Sequence, residues 1–80
     1  MKGVGNMKVS RKTIDKLVRD GSGIDVGKYR YIFGQFGTII RCPIKLLDRL
    51  LPLGEKWEIV ARWNNDRQDW DILDHKEYGY

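Results

Sequence analysis

A single cysteine, a single histidine and only two prolines limit what this 80-residue chain can do. The lone Cys42 excludes an internal disulfide and cannot supply a four-ligand structural zinc site. It points to a reducing compartment, so the expected location is cytoplasmic. His75 shares no metal-ligand spacing with Cys42, and no metal or cofactor is expected. No apolar run approaches the roughly 18–20 residues that a membrane-spanning helix needs. Residues 1–6 lack the apolar stretch of a signal peptide and read as a leader, with Met7 an alternative start. Also missing are a phosphate-binding loop ending in Gly-Lys-Ser/Thr, a His-Glu-x-x-His pair and a Gly-x-Ser-x-Gly elbow. Gly21, Gly23 and Gly27 are too scattered for a dinucleotide fingerprint and are explained by turns. No catalytic constellation remains, so the expectation is a non-enzymatic protein.

Charge is present and unevenly placed. The net charge is +4, but residues 1–50 carry +7 and residues 51–80 carry −3. Such a chain either presents one basic side to a polyanion or neutralises its two halves against each other in the fold. Eighty residues allow one domain with a small core. The expected organisation is a leader over residues 1–7, a single domain over 8–74 and a tail over 75–80 in which Tyr78 or Tyr80 docks back or frays.

Hydrophobic periodicity predicts a helix over residues 11–20, with Ser10 as N-cap, Val9 and Ile14 as a hydrophobic staple, and Gly21 as the stop. Ile14, Leu17 and Val18 share its apolar arc with Met7. Lys8, Lys12, Lys16 and Arg19 form a basic stripe opposite. Residues 28–34 alternate as a strand, with Tyr29, Tyr31 and Phe33 on one side and Lys28, Arg30 and Ile32 on the other. Residues 38–41 pair back as a hairpin. Pro43 suits the first turn of a helix over 44–51, which Pro52 and Gly54 end. Residues 57–63 alternate again, with Trp57, Ile59, Ala61 and Trp63 on one face. A turn-rich stretch then leads to a strand over 69–73 that turns Trp70 and Ile72 to the core. The fold class is therefore α+β, in the order α-β-β-α-β-β, with an antiparallel sheet packed on one or two helices.

The helix, hairpin and helix order over about residues 8–51 resembles the double-stranded-RNA-binding-like fold of HicA-type toxins. Those toxins depend on a histidine within the hairpin. This chain has none before His75, so the resemblance implies neither a site residue nor ribonuclease activity here.

Two functions follow from what is present. The first is nucleic-acid binding, DNA or RNA, through Lys8, Arg11, Lys12, Lys16 and Arg19 of the first helix and Lys28, Arg30 and Arg41 of the hairpin. Arg11 and Lys12 oppose the helix dipole at its first turn, and a bound phosphate would relieve that conflict. Tyr29 or Tyr31 would stack on bases if their face is open. Against this, Asp15 and Asp20 interrupt the stripe, and a charged helix face commonly only keeps a protein soluble. The second is a regulator or inhibitor, of the kind phages and other mobile elements encode, that binds a host protein through exposed aromatics. Its candidates are Tyr29, Tyr31, Trp63 and Trp70, since Trp and Tyr are favoured interface anchors. The competing explanation is that the tryptophans are simply core. Homodimerisation through a sheet edge is compatible with either function. Asp66, Asp69, Asp71 and Asp74 would hold Mg²⁺ only if they converged, and alternation on an amphipathic hairpin already explains them.

Overall fold

A computed structural model describes residues 8–46 and 57–78 of the chain. Helix α1 (Arg11–Asp20) is set by its two caps. The Ser10 hydroxyl accepts the Thr13 backbone N–H at 3.2 Å, and Gly21, at φ 80°, donates its N–H to the Leu17 carbonyl at 2.8 Å. Gly can take this left-handed C-cap without a side-chain clash. Val9 and Ile14 are both buried, as a staple requires. Val18, expected on the apolar arc, is instead 51% exposed. It lies at the rim of an arc centred on Thr13, Ile14 and Leu17, all of which are buried.

The sheet has five antiparallel strands in sequential order: β1 (Ile24–Val26), β2 (Tyr29–Phe33), β3 (Thr38–Pro43), β4 (Glu58–Asn64) and β5 (Asp69–Ile72). The α+β class is as expected, but β1 is an addition. Its three residues, hemmed between Gly23 and Gly27, are too few to show a period. They pair with β2 through Val26↔Tyr29, and Gly27 at φ 60° opens the two-residue turn between them. The added strand also departs from a simple helix, hairpin and helix order. After β3, Ile44–Leu46 form a 3₁₀ turn. The rest of the helix expected over 44–51 lies outside the described residues.

β3 is central, and Thr38 through Cys42 are all buried. Helix α1 covers one face of the sheet, where Ile14 and Leu17 pack with Ile24, Tyr31, Ile39 and Ala61. The opposite face has its own apolar cluster of Ile40, Cys42, Trp57 and Ile59. It is not the charged binding surface that a single helix-covered face would leave.

A β-bulge in β4 separates the two clusters. Ile39 pairs with Ala61, but Ile40 pairs with Ile59, so Val60 is the extra residue. Trp57 and Ile59 therefore lie on the opposite face from Ala61 and Trp63, which corrects the uninterrupted alternation expected over 57–63. β5 occupies one side of β4 from Ala61 to Asn64. The end of the chain fills the same side below the bulge, where the Ile59 N–H donates to the Glu77 carbonyl at 2.8 Å and Tyr78 bridges to Glu58. Residues 75–78 are thus docked.

Candidate binding surfaces

The eight cations expected to form one patch divide into two groups. Arg11 reaches from the helix N-terminus to the Asp69 carboxylate and lies 3.8 Å from Asp15. The Arg11 guanidinium holds Asp69 below the usual carboxylate range, helped by the Trp70 backbone N–H. A carboxylate of the chain itself therefore sits where a phosphate was expected to relieve the helix dipole. Arg30 is paired with Asp25 at 2.7 Å. Arg41 is buried at 5% exposure. Its guanidinium donates to Glu58 at 2.9 Å and to the Tyr31 hydroxyl at 3.3 Å, and lies 4.3 Å from the centre of the Tyr29 ring. It serves the interior, not the surface.

Lys12, Lys16 and Arg19 remain on α1. All three are exposed, and no ion pair is formed by any of them among the described residues. At i, i+4 and i+7 they follow one stripe of the helix, opposite the buried side of Ile14 and Leu17. Lys8 and Lys28 are exposed but lie off this row.

Tyr31 offers no open stacking face, and one face of the Tyr29 ring is taken by Arg41. Tyr31 is 5% exposed and belongs to the core beneath α1. Tyr29 is half-buried, with Arg41 over its ring.

Three of the four exposed aromatics among the described residues, Phe33, Phe36 and Trp63, instead lie at the end of the sheet where β2 meets β3 and β4 meets β5, while Tyr78 lies apart beside Glu58. Trp63 and Trp70 face each other across β4 and β5, with ring centroids 5.3 Å apart at 73°. Phe33 also stacks on Trp70, at 6.0 Å and 29°. Phe33 and Trp63 are 39% and 41% exposed. The β2–β3 loop abuts this cluster, since the Trp63 N–H donates to the Gly37 carbonyl at 2.7 Å.

Phe36 stands at the tip of that loop, 96% exposed and at φ 58°. A bulky side chain in the left-handed region is strained, and here no burial compensates for it. Phe33 and Phe36 were not among the sequence candidates. The available signal was a large aromatic in a Gly34-Gln35-Phe36-Gly37 turn, where small or polar residues are the usual choice.

Charge around this aromatic end is largely balanced. Asp69 is shared by Arg11 and Arg67, and Asp71 accepts from Arg67 at 2.6 Å and from Asn64 at 2.9 Å. These pairs tie up two of the four carboxylates considered for a cation. No group of His, Cys, Asp or Glu among the described residues converges as a metal site.

At the other end, His75 is held between Glu77 at 2.7 Å and Asp74 at 3.3 Å. Glu77 also takes both terminal nitrogens of Arg62. Arg62, then His75, pull the Glu77 carboxyl down to about 2, and Glu77, then Asp74, raise the His75 imidazole.

No helix among the described residues is long and apolar enough to cross a membrane. The chain matches no family model, no curated protein and no solved structure.

Proposed function

We propose that this is a non-enzymatic regulator that docks on a partner protein through its aromatic end. The observation that carries this reading is Phe36, fully presented in a strained backbone conformation beside the half-exposed Phe33 and Trp63. An exposed side chain that costs stability and packs on nothing of its own is well placed to fill another protein's pocket. Trp70, partly buried, contacts both Phe33 and Trp63 and joins them into one patch on the sheet. The paired carboxylates around it leave little positive field to draw a phosphate backbone there. The single cysteine of the chain, Cys42, is buried and fits work in a reducing compartment such as the cytoplasm.

A second reading rests on a separate observation, the three exposed cations Lys12, Lys16 and Arg19, which form no ion pair among the described residues. They would contact the phosphates of DNA or RNA without help from the aromatic end, and the small number of contacts implies weak, salt-sensitive binding.

Immobilised wild-type protein and two variants, Phe36→Ser/Trp63→Ser and Lys12→Gln/Lys16→Gln/Arg19→Gln, separate the readings when exposed to the same host extract at low and high salt. The docking reading expects one defined protein that survives high salt, remains with the helix variant and is lost with the aromatic variant. Retention by the aromatic variant overturns it. Nuclease-sensitive retention lost only in the helix variant establishes the second reading. Size measurement of the free protein identifies a second copy of the chain as occupant, if dimers dissociate in the aromatic variant.

A further inference from the structure

The aromatic end and the helix row leave a third surface unexplained. A cleft of about 560 Å³ opens at the opposite end of the sheet, between the β1–β2 turn and the 3₁₀ turn after β3. This volume falls within the range of small-molecule sites. Tyr29, Pro43 and Ile44 provide an apolar lining, and Lys28 and Lys45 stand on either wall. The walls are tied together, since the Ile44 N–H donates to the Lys28 carbonyl at 2.9 Å. Tyr29 is fixed from within by the Arg41 guanidinium, whose charge Glu58 already balances.

Lys28 and Lys45 are both exposed, and neither forms an ion pair among the described residues. Two like charges beside one apolar cleft repel each other and are relieved by an anion bound between them. A phosphate monoester carries about −1.5 to −2 at neutral pH, which suits two ammonium groups, and lysine binds phosphate as a point charge. The apolar lining calls for an organic body as well as an anion.

We propose that this cleft binds an organic phosphate monoester, with its phosphate between Lys28 and Lys45 and its ring system against Tyr29, Pro43 and Ile44. A free mononucleotide and the 5′-phosphorylated end of a nucleic-acid strand share this chemistry. The site depends on neither the aromatic end nor the helix row.

The test is a titration of the isotopically labelled full chain with AMP, adenosine and inorganic phosphate, followed by amide NMR. Short oligonucleotides with and without a 5′-phosphate form a further arm. AMP is expected to shift the amides of Gly27, Lys28, Tyr29, Ile44 and Lys45 saturably, and to bind at least about tenfold tighter than adenosine or phosphate alone. Lys28→Gln/Lys45→Gln is expected to weaken AMP about tenfold while the Leu17 and Ile39 amides keep their positions, which shows the fold intact. Lys12→Gln/Lys16→Gln is expected to leave AMP binding unchanged. A preference for the 5′-phosphorylated oligonucleotide over AMP assigns the site to strand ends, and the reverse assigns it to mononucleotides. Adenosine binding as tightly as AMP, shifts outside the cleft, or AMP affinity that survives the Lys28/Lys45 substitutions would overturn the proposal.

Discussion

Phe36 and Arg41 are two residues whose chemical type misleads when read alone. Phe36 is apolar and lies almost wholly in solvent; Arg41 is charged and lies in the core. Asparagine tolerates the left-handed conformation better than phenylalanine, which pays roughly 1–2 kcal/mol there. Phe36→Asn removes no buried surface, so it is expected to stabilise the fold by about 0.5–1 kcal/mol in urea unfolding while abolishing partner docking. A loss of stability would mean that the loop needs the ring for packing. For Arg41 the expectation is opposite. Glu58, the Tyr31 hydroxyl and the Tyr29 ring all depend on its guanidinium. Arg41→Ala leaves the Glu58 carboxylate without its buried partner and is expected to cost about 3 kcal/mol of stability. Glu58→Gln, which keeps a hydrogen-bond acceptor, is expected to cost less. Unfolding curves that coincide with the wild type would show that Arg41 is dispensable to the core.

Among the elements, α1 was the most legible in the sequence, because every signal that defines it is local. Ser10 with Thr13, Val9 with Ile14, and Gly21 with Leu17 each lie within five residues of each other, and all three signals work as expected. Ser10→Ala is accordingly expected to lose about 1 kcal/mol, measured by thermal unfolding. The sheet was legible as alternating segments, but its register was not. Alternation over residues 57–63 implied one apolar face, and nothing at Val60 distinguishes a bulge residue from an ordinary outward one. The bulge sets Ile59 instead of Val60 opposite Ile40 and so turns Trp57 and Ile59 to the second apolar cluster. The expected cationic patch is divided for a similar reason. Arg11, Arg30 and Arg41 have partners that are 58, 5 and 17 residues away in the chain. Asp69 and Glu58 come close only through the fold, so counting cations along the helix and hairpin overstates the free charge. Trp63 and Trp70, named separately as interface candidates, are brought together across β4 and β5, whereas Tyr31 is buried in the core beneath α1.

At the scale of the whole molecule, the docked chain end makes the lower half of β4 dependent on pH. Glu77 supplies both the carbonyl that accepts from Ile59 and the carboxylate held by Arg62 and His75. The groups around His75 are Glu77 and Asp74, with Arg62 beyond Glu77, and Lys8, Arg41, Glu58 and Lys76 line the same small cleft. His75 is raised above 6.5 when docked, so its contribution is complete below that value and is lost as pH rises through the docked value. Glu77 is lowered from 4.5 to about 2, so its contribution is present above 4.5 and is lost as pH falls towards 2. The two requirements overlap between 4.5 and 6.5, where docking is expected to be tightest. Because His75 is exposed and Glu77 is only partly covered, the effect should remain local and leave global stability nearly unchanged. Hydrogen exchange at the Ile59 amide, corrected for its intrinsic pH dependence, reports this directly. Protection is expected to fall between pH 6 and pH 8.5 in the wild type and to stay flat in His75→Asn, while the Ile39 amide in the central strand follows neither change. Equal protection of Ile59 at both pH values would place the hold on the chain end in Arg62 and the backbone alone.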